Sequence, residues 1–198
     1  MISSPITYQA HYKGYPLYFN LDSDGYYVDI LERNLQLLLY MLARHPQVLL
    51  VRLDFTFPVG MQIPEDNSLF QAFIENYRRY LHRHGFDPVC LWVRERAQSD
   101  HFHYHCFFLL DFNVRNKRKS IQKVKELWCD TLGVVGDARK RYVRINSRML
   151  TSGDRNCLDE SFMWLGYLAK VTTKGSASRY VREFGCSQLP VFSLLPHS

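Results

Sequence analysis

The triplet His103-Tyr104-His105 opens the stretch HFHYHCFFLLD, and Tyr167-Leu168-Ala169-Lys170 follows later in the chain. Residues two apart on a strand point to the same side, so both imidazoles would project from one face. The apolar run Cys106 to Leu110 makes a strand the natural reading. Neutral imidazoles at a strand end can ligate a divalent metal. Tyr167 and Lys170 are three apart, which on a helix places them on one side. A metal pair on a sheet and a tyrosine beside a lysine point to one chemistry, the cutting of single-stranded DNA by a tyrosine nucleophile. A phenol with a free pKa near 10 needs help to attack. A metal can polarise the scissile phosphate, and Lys170 adds positive charge nearby.

Two histidines rarely complete a metal site. Glu95 is the leading third ligand: it lies eight residues before His103 across a hairpin-length gap, with a parity that could set it cross-strand from His103. Asp54, on the polar side of an earlier strand, is the runner-up, and His101 ranks lower because it lies nearer the turn. Two imidazoles and a carboxylate suit Mg²⁺ or Mn²⁺. Each residue also has a plain structural reading. The histidines can be ordinary strand residues, Glu95 an exposed carboxylate paired with Arg94 or Arg96, and Tyr167 part of a core run, FMWLGYLAKV.

The elements that must position these groups follow from periodicity. Residues 1–27 read as an irregular, Tyr-rich arm. Leu31, Leu35, Leu38, Leu39 and Leu42 recur at helical spacing until Pro46. In VLLVRLDFTFP, Leu49, Val51, Leu53 and Phe55 share a dry face, and Arg52, Asp54 and Thr56 a polar one. A second helix spans Leu69 to Leu81 and stops at Gly85. Val89 to Glu95 and the histidine strand form a hairpin around Gln98-Ser99-Asp100. Ser120 caps a third helix. Arg141 to Asn146 is a fourth strand, residues 147–158 a loop, and Phe162 to Val171 a short helix carrying Tyr167. The expected fold is α+β: a central antiparallel sheet of four to five strands, helices on one face and the active site on the other. Residues 1–46, an arm and a helix, and residues 47–198 belong to a single domain.

The 198 residues carry a formal net charge of +6 and 15% aromatic residues, a balance that favours polyanionic, single-stranded partners. Candidate DNA contacts are Arg52, the basic loop with Arg115, Lys117 and Lys119, and Lys174, Arg179 and Arg182 near the tyrosine; Arg139, Lys140 and Arg141 form another basic group. Five cysteines without a CxxC pair indicate neither a disulfide framework nor a zinc ribbon. No signal peptide or membrane-length apolar run is read, so the cytoplasm is the expected location.

These residues, in this order, resemble the HUH endonucleases, whose pattern is an initial strand motif, a histidine–hydrophobic–histidine triplet, and a tyrosine with a following lysine. Here those are Arg52-Leu53-Asp54-Phe55-Thr56, His103-Tyr104-His105 and Tyr167 with Lys170. More narrowly, VRLDF, VRERAQSDHFHYHCFFLLD, YLAK and REFGCSQ resemble the replication initiators of inovirus-type filamentous phages and related prophage proteins. The resemblance implies rolling-circle initiation at an origin, with His103 and His105 as ligands and Glu95 as the matching carboxylate. Tyr167 would form a 5′-phosphotyrosine link beside Lys170. It also leaves room for a host helicase, since no helicase domain follows. The departure is a single tyrosine at the motif, because Tyr180 is too distant to be its helical partner. Two other readings compete: a catalytically inactive DNA-binding regulator descended from such a nickase, and an iron(II) oxygenase using two histidines and a carboxylate.

Overall fold

The structure is a computed structural model that describes residues 5–18, 25–95, 102–135, 142–171 and 182–190. Four two-residue strands, β1 (Ile6–Thr7), β2 (His11–Tyr12), β3 (Tyr15–Pro16) and β4 (Tyr26–Tyr27), precede helix α1 (Val28–Arg44). Then come β5 (Gln47–Phe55), α2 (Ser68–Arg83), β6 (Val89–Glu95), β7 (His103–Asp111) and α3 (Lys117–Leu132). The chain continues through β8 (Val143–Thr151), α4 (Arg155–Gly166), a 3₁₀ turn (Tyr167–Ala169) and β9 (Phe184–Cys186).

The five long and late strands form one antiparallel sheet in the order β8-β5-β7-β6-β9. Its fold class is α+β, with four α-helices among the described residues. Alternation assigns each strand residue to a side. One side carries Leu49, Val51, Leu53, Phe55, Trp92, Tyr104, Cys106 and Phe108, packed under α2 and α3 through Phe70, Phe73, Tyr77 and Trp128. The other carries Val48, Leu50, Leu91, Val93, Phe107 and Leu109, packed under α1 and α4 through Leu31, Leu38, Met41, Phe162 and Leu165. The expectation of helices on one face is therefore corrected. The central strands are apolar on both sides, Phe107 and Phe108 being equally buried, so each side needs a cover.

Local chemistry accounts for the other differences. Residues 147–158 are not a loop: β8 runs on to Thr151, and α4 begins at Arg155 because the Asp154 carboxylate accepts the Cys157 N–H at 3.0 Å. Ser120 is not a cap but lies buried inside α3, which starts at Lys117 after Asn116 in the left-handed region. The N-terminal arm is folded as short strand pairs rather than irregular, and Tyr26 bridges to Lys170. Strand β9 lies on β6 at Gly185, where a Cβ would stand 2.7 Å from the Trp92 indole, so only glycine permits that approach. The turn at 98–100, His101, the basic residues 139–141, Lys174, Arg179 and Tyr180 lie outside the described residues.

Candidate functional site

The α1/α4 side of the sheet changes character along its strands. At one end Val48, Leu50, Leu109 and Val89 are sealed under helices. At the other end the same side shows Arg52, Asp54, His105 and Glu95. Register explains the gathering: Asp54 pairs with His105, Val93 also pairs with His105, and Glu95 pairs with His103. Paired residues point to the same side, so three strands bring their polar ends to one corner.

His105 is its hub. Its Nδ1 lies 2.6 Å from Asp54 Oδ1 and its Nε2 lies 3.2 Å from Glu95 Oε2. Burial disfavours the charged imidazole, but the two carboxylates override it and lift its pKa to about 9. Asp54 also accepts from Arg52 Nε at 2.8 Å. Burial alone would raise the Asp54 carboxyl; His105 and Arg52 hold it below the usual carboxylate range. Glu95 is buried, with 4% of its surface exposed, which makes it no ordinary surface carboxylate.

Tyr167 comes to this corner from α4. It caps the helix and enters the 3₁₀ turn, rather than lying mid-helix as its spacing suggested. Its ring centroid is 6.4 Å from that of His105, nearly perpendicular at 87°. The Arg52 guanidinium lies 4.7 Å from the Tyr167 ring centroid and Lys170 Nζ lies 5.1 Å from it. Leu165, Leu168 and Ala169 are buried beneath, so the turn is anchored while Tyr167 remains only partly buried. Tyr142 packs against the α2/α3 cluster on the opposite side of the sheet.

The candidate DNA contacts separate. Arg52 sits in the corner. Arg182 lies just before β9, and its carbonyl accepts from Asn67 at 2.6 Å. Arg115, Lys117 and Lys119 lie around the start of α3, beyond the far end of β7. From His105 to Asp111 the strand covers about 20 Å at its usual rise, and α3 packs on the other side of the sheet. That basic loop therefore does not join the tyrosine.

Among the described residues no group of three or more His, Cys, Asp or Glu side chains is gathered as a metal cage. The donor chemistry still suits a small cation. Bonds of about 2.1 Å at right angles separate adjacent ligands by about 3 Å, and His105 Nε2 and Glu95 Oε2 are 3.2 Å apart. A carboxylate on Nδ1, as Asp54 provides, is the usual means of orienting a metal-binding imidazole. Asp54 thus stands behind His105, and the sequence offered no sign of that beyond its parity on β5.

The family model described as the YagK/YfjJ C-terminal domain matches residues 7–187. The chain belongs to this family. It is a prophage-associated family, and its description names neither an HUH endonuclease nor an activity. No curated protein matches the chain. A solved structure, PelD 156-455 from Pseudomonas aeruginosa PA14 in its apo form, aligns at 18% identity and a TM-score of 0.38, covering 70% of this chain and 46% of that one. The chain thus spans less than half of that chain's length. No helix among the described residues is long and apolar enough to cross a membrane.

Proposed function

We propose that this YagK/YfjJ-type domain is an HUH-like, metal-dependent DNA nicking and strand-joining endonuclease, acting in the cytoplasm as a rolling-circle replication initiator on single-stranded origin DNA. The observation that carries the reading is the meeting of Tyr167, Arg52, His105 and Glu95, from four segments, at one corner of the sheet. In this reading Tyr167 Oη forms a bond to phosphorus as the P–O3′ bond breaks. The phenol proton leaves and the departing 3′-oxygen takes one up. The strand remains joined through a 5′-phosphotyrosine, which keeps the bond energy for rejoining. Arg52 and Lys170 offset the charge that develops on the phosphate. His105, Glu95 and His103 would hold a divalent cation, Mg²⁺ or Mn²⁺, whose contribution is to polarise the phosphate as a Lewis acid.

One observation favours a second reading, a DNA-binding regulator that does not cut. Both ring nitrogens of His105 are engaged by carboxylates, an arrangement a charged imidazole satisfies without a metal. The test is incubation of wild type and Tyr167→Phe with labelled single-stranded DNA and Mn²⁺, read on a native gel for binding and a denaturing gel for the covalent adduct. A covalent band from wild type alone supports the nickase. Binding without cleavage by wild type selects the regulator.

A further inference from the structure

Strand β8 is the edge of the sheet, and its α1/α4 side carries Arg144, Asn146, Arg148 and Leu150. These change in the same sense as the strands beside them. Leu150 is buried under α4, Arg148 is partly exposed, and Asn146 and Arg144 are open to solvent. Register aligns Asn146 with Arg52 and Arg144 with Asp54, so this polar stretch adjoins the corner that holds Tyr167. Rings and cations then alternate across the sheet. Arg52 lies 4.7 Å from the Tyr167 ring centroid and 6.0 Å from that of Phe107. Phe107 meets Trp164 at 5.2 Å, edge to face, and the Arg148 guanidinium lies 5.5 Å from the Trp164 centroid.

We propose that Trp164 and the β8 residues Arg144, Asn146 and Arg148 form a track that holds the single-stranded DNA flanking the bond attacked by Tyr167. The proposal rests on the nickase reading for its direction toward Tyr167. The chemistry is that of single-strand binding: cations follow the phosphates, and a ring gives a base a face to stack on. Charge favours a polyanion. Asp54 is already engaged by His105 and Arg52. Glu160 pairs with Arg148 at 3.4 Å, but with 65% of its side chain exposed it is an ion pair that a phosphate can displace. A duplex is a poorer fit, because its bases are stacked inside and give Trp164 no face.

Tryptophan fluorescence reads the track directly. Of the three tryptophans, Trp92 and Trp128 are 5% and 0% exposed under α2 and α3, while Trp164 is partly exposed. The experiment titrates oligodeoxythymidylate into the full chain carrying Tyr167→Phe, so that nothing is cut, and follows both emission and the anisotropy of an end-labelled oligonucleotide. Saturable quenching is expected. Trp164→Ala should remove the quenching and weaken binding by about tenfold. Arg144→Gln and Arg148→Ala should each lower the slope of log affinity against log salt by about 0.7. The track is overturned if saturating oligonucleotide leaves the emission unchanged, or if the three variants bind as tightly and as salt-dependently as their parent. Tighter binding of a duplex or of polyglutamate overturns it as well. The two readings fail separately. Quenching without any adduct from the chain with native Tyr167 removes the nickase and keeps the track. An adduct whose yield and affinity ignore Trp164, Arg144 and Arg148 removes the track and keeps the nickase.

Discussion

The two sides of the sheet are built from the same strands yet do different work. Under α2 and α3 the side centres on an aromatic cluster: Phe55, Phe70, Phe73 and Trp128 meet one another with centroids 5.1–5.9 Å apart. Under α1 and α4 the side is apolar for half its length and then carries Arg52, Asp54, His105 and Glu95. Continuous cover gives stability and leaves nothing for a substrate to touch. Interrupted cover leaves a corner whose polar groups are held firmly by the buried half of the same strands. The lesson is that strand rigidity, obtained from packing, is what places His105 against two carboxylates and near Tyr167.

The comparison can be broken most sharply at Tyr167. Tyr167→Phe is expected to abolish adduct formation while changing unfolding free energy by less than about 1.5 kcal/mol, the scale of one lost hydroxyl hydrogen bond. Cleavage assays and urea melts on the same preparation decide it. Undiminished cleavage would put the chemistry elsewhere.

On the other side the pattern should invert. Phe55→Ala leaves a cavity among Phe70, Phe73 and Trp128 and should cost about 3–5 kcal/mol in chemical denaturation. If His105→Ala costs as much, the corner is a structural core and the division between the sides is wrong.

Asp54→Asn tests whether the corner is oriented for a cation. It should weaken Mn²⁺ binding by about 10–100-fold, measured calorimetrically, with the fold retained. Equal affinity would detach Asp54 from the site.

A smaller effect is expected at the rim, where Asp87 contacts Arg44 at 3.0 Å and His45 at 2.9 Å. Partial burial would raise the Asp87 carboxyl, but His45 and Arg44 lower it below its ordinary value. A carboxylate with a lowered folded pKa adds stability above its unfolded value, near 3.9, and loses it as pH falls through the folded value. The stability gap between wild type and Asp87→Asn should therefore be present at pH 7 and close toward pH 3. A gap independent of pH would mean that charge is not its source.

The sequence alone determined the elements whose signals are local. Period-two alternation placed Val89 to Glu95 and the strand from His103, and helical spacing with Pro46 bounded α1. The hairpin gap set Glu95 opposite His103, because a register between neighbouring strands follows from the length between them. The tertiary structure decided what depends on partners far along the chain. Nothing near Asp54 says that β5 will pair with β7 fifty-one residues on and aim its carboxylate at His105 Nδ1. The α4 start was hidden because its signal is one Asp154 cap after a strand that looked like a loop. Arg148 and Trp164 went unread for the same reason: periodicity assigns a residue to a side, but only packing shows whether a helix covers it or leaves it facing water.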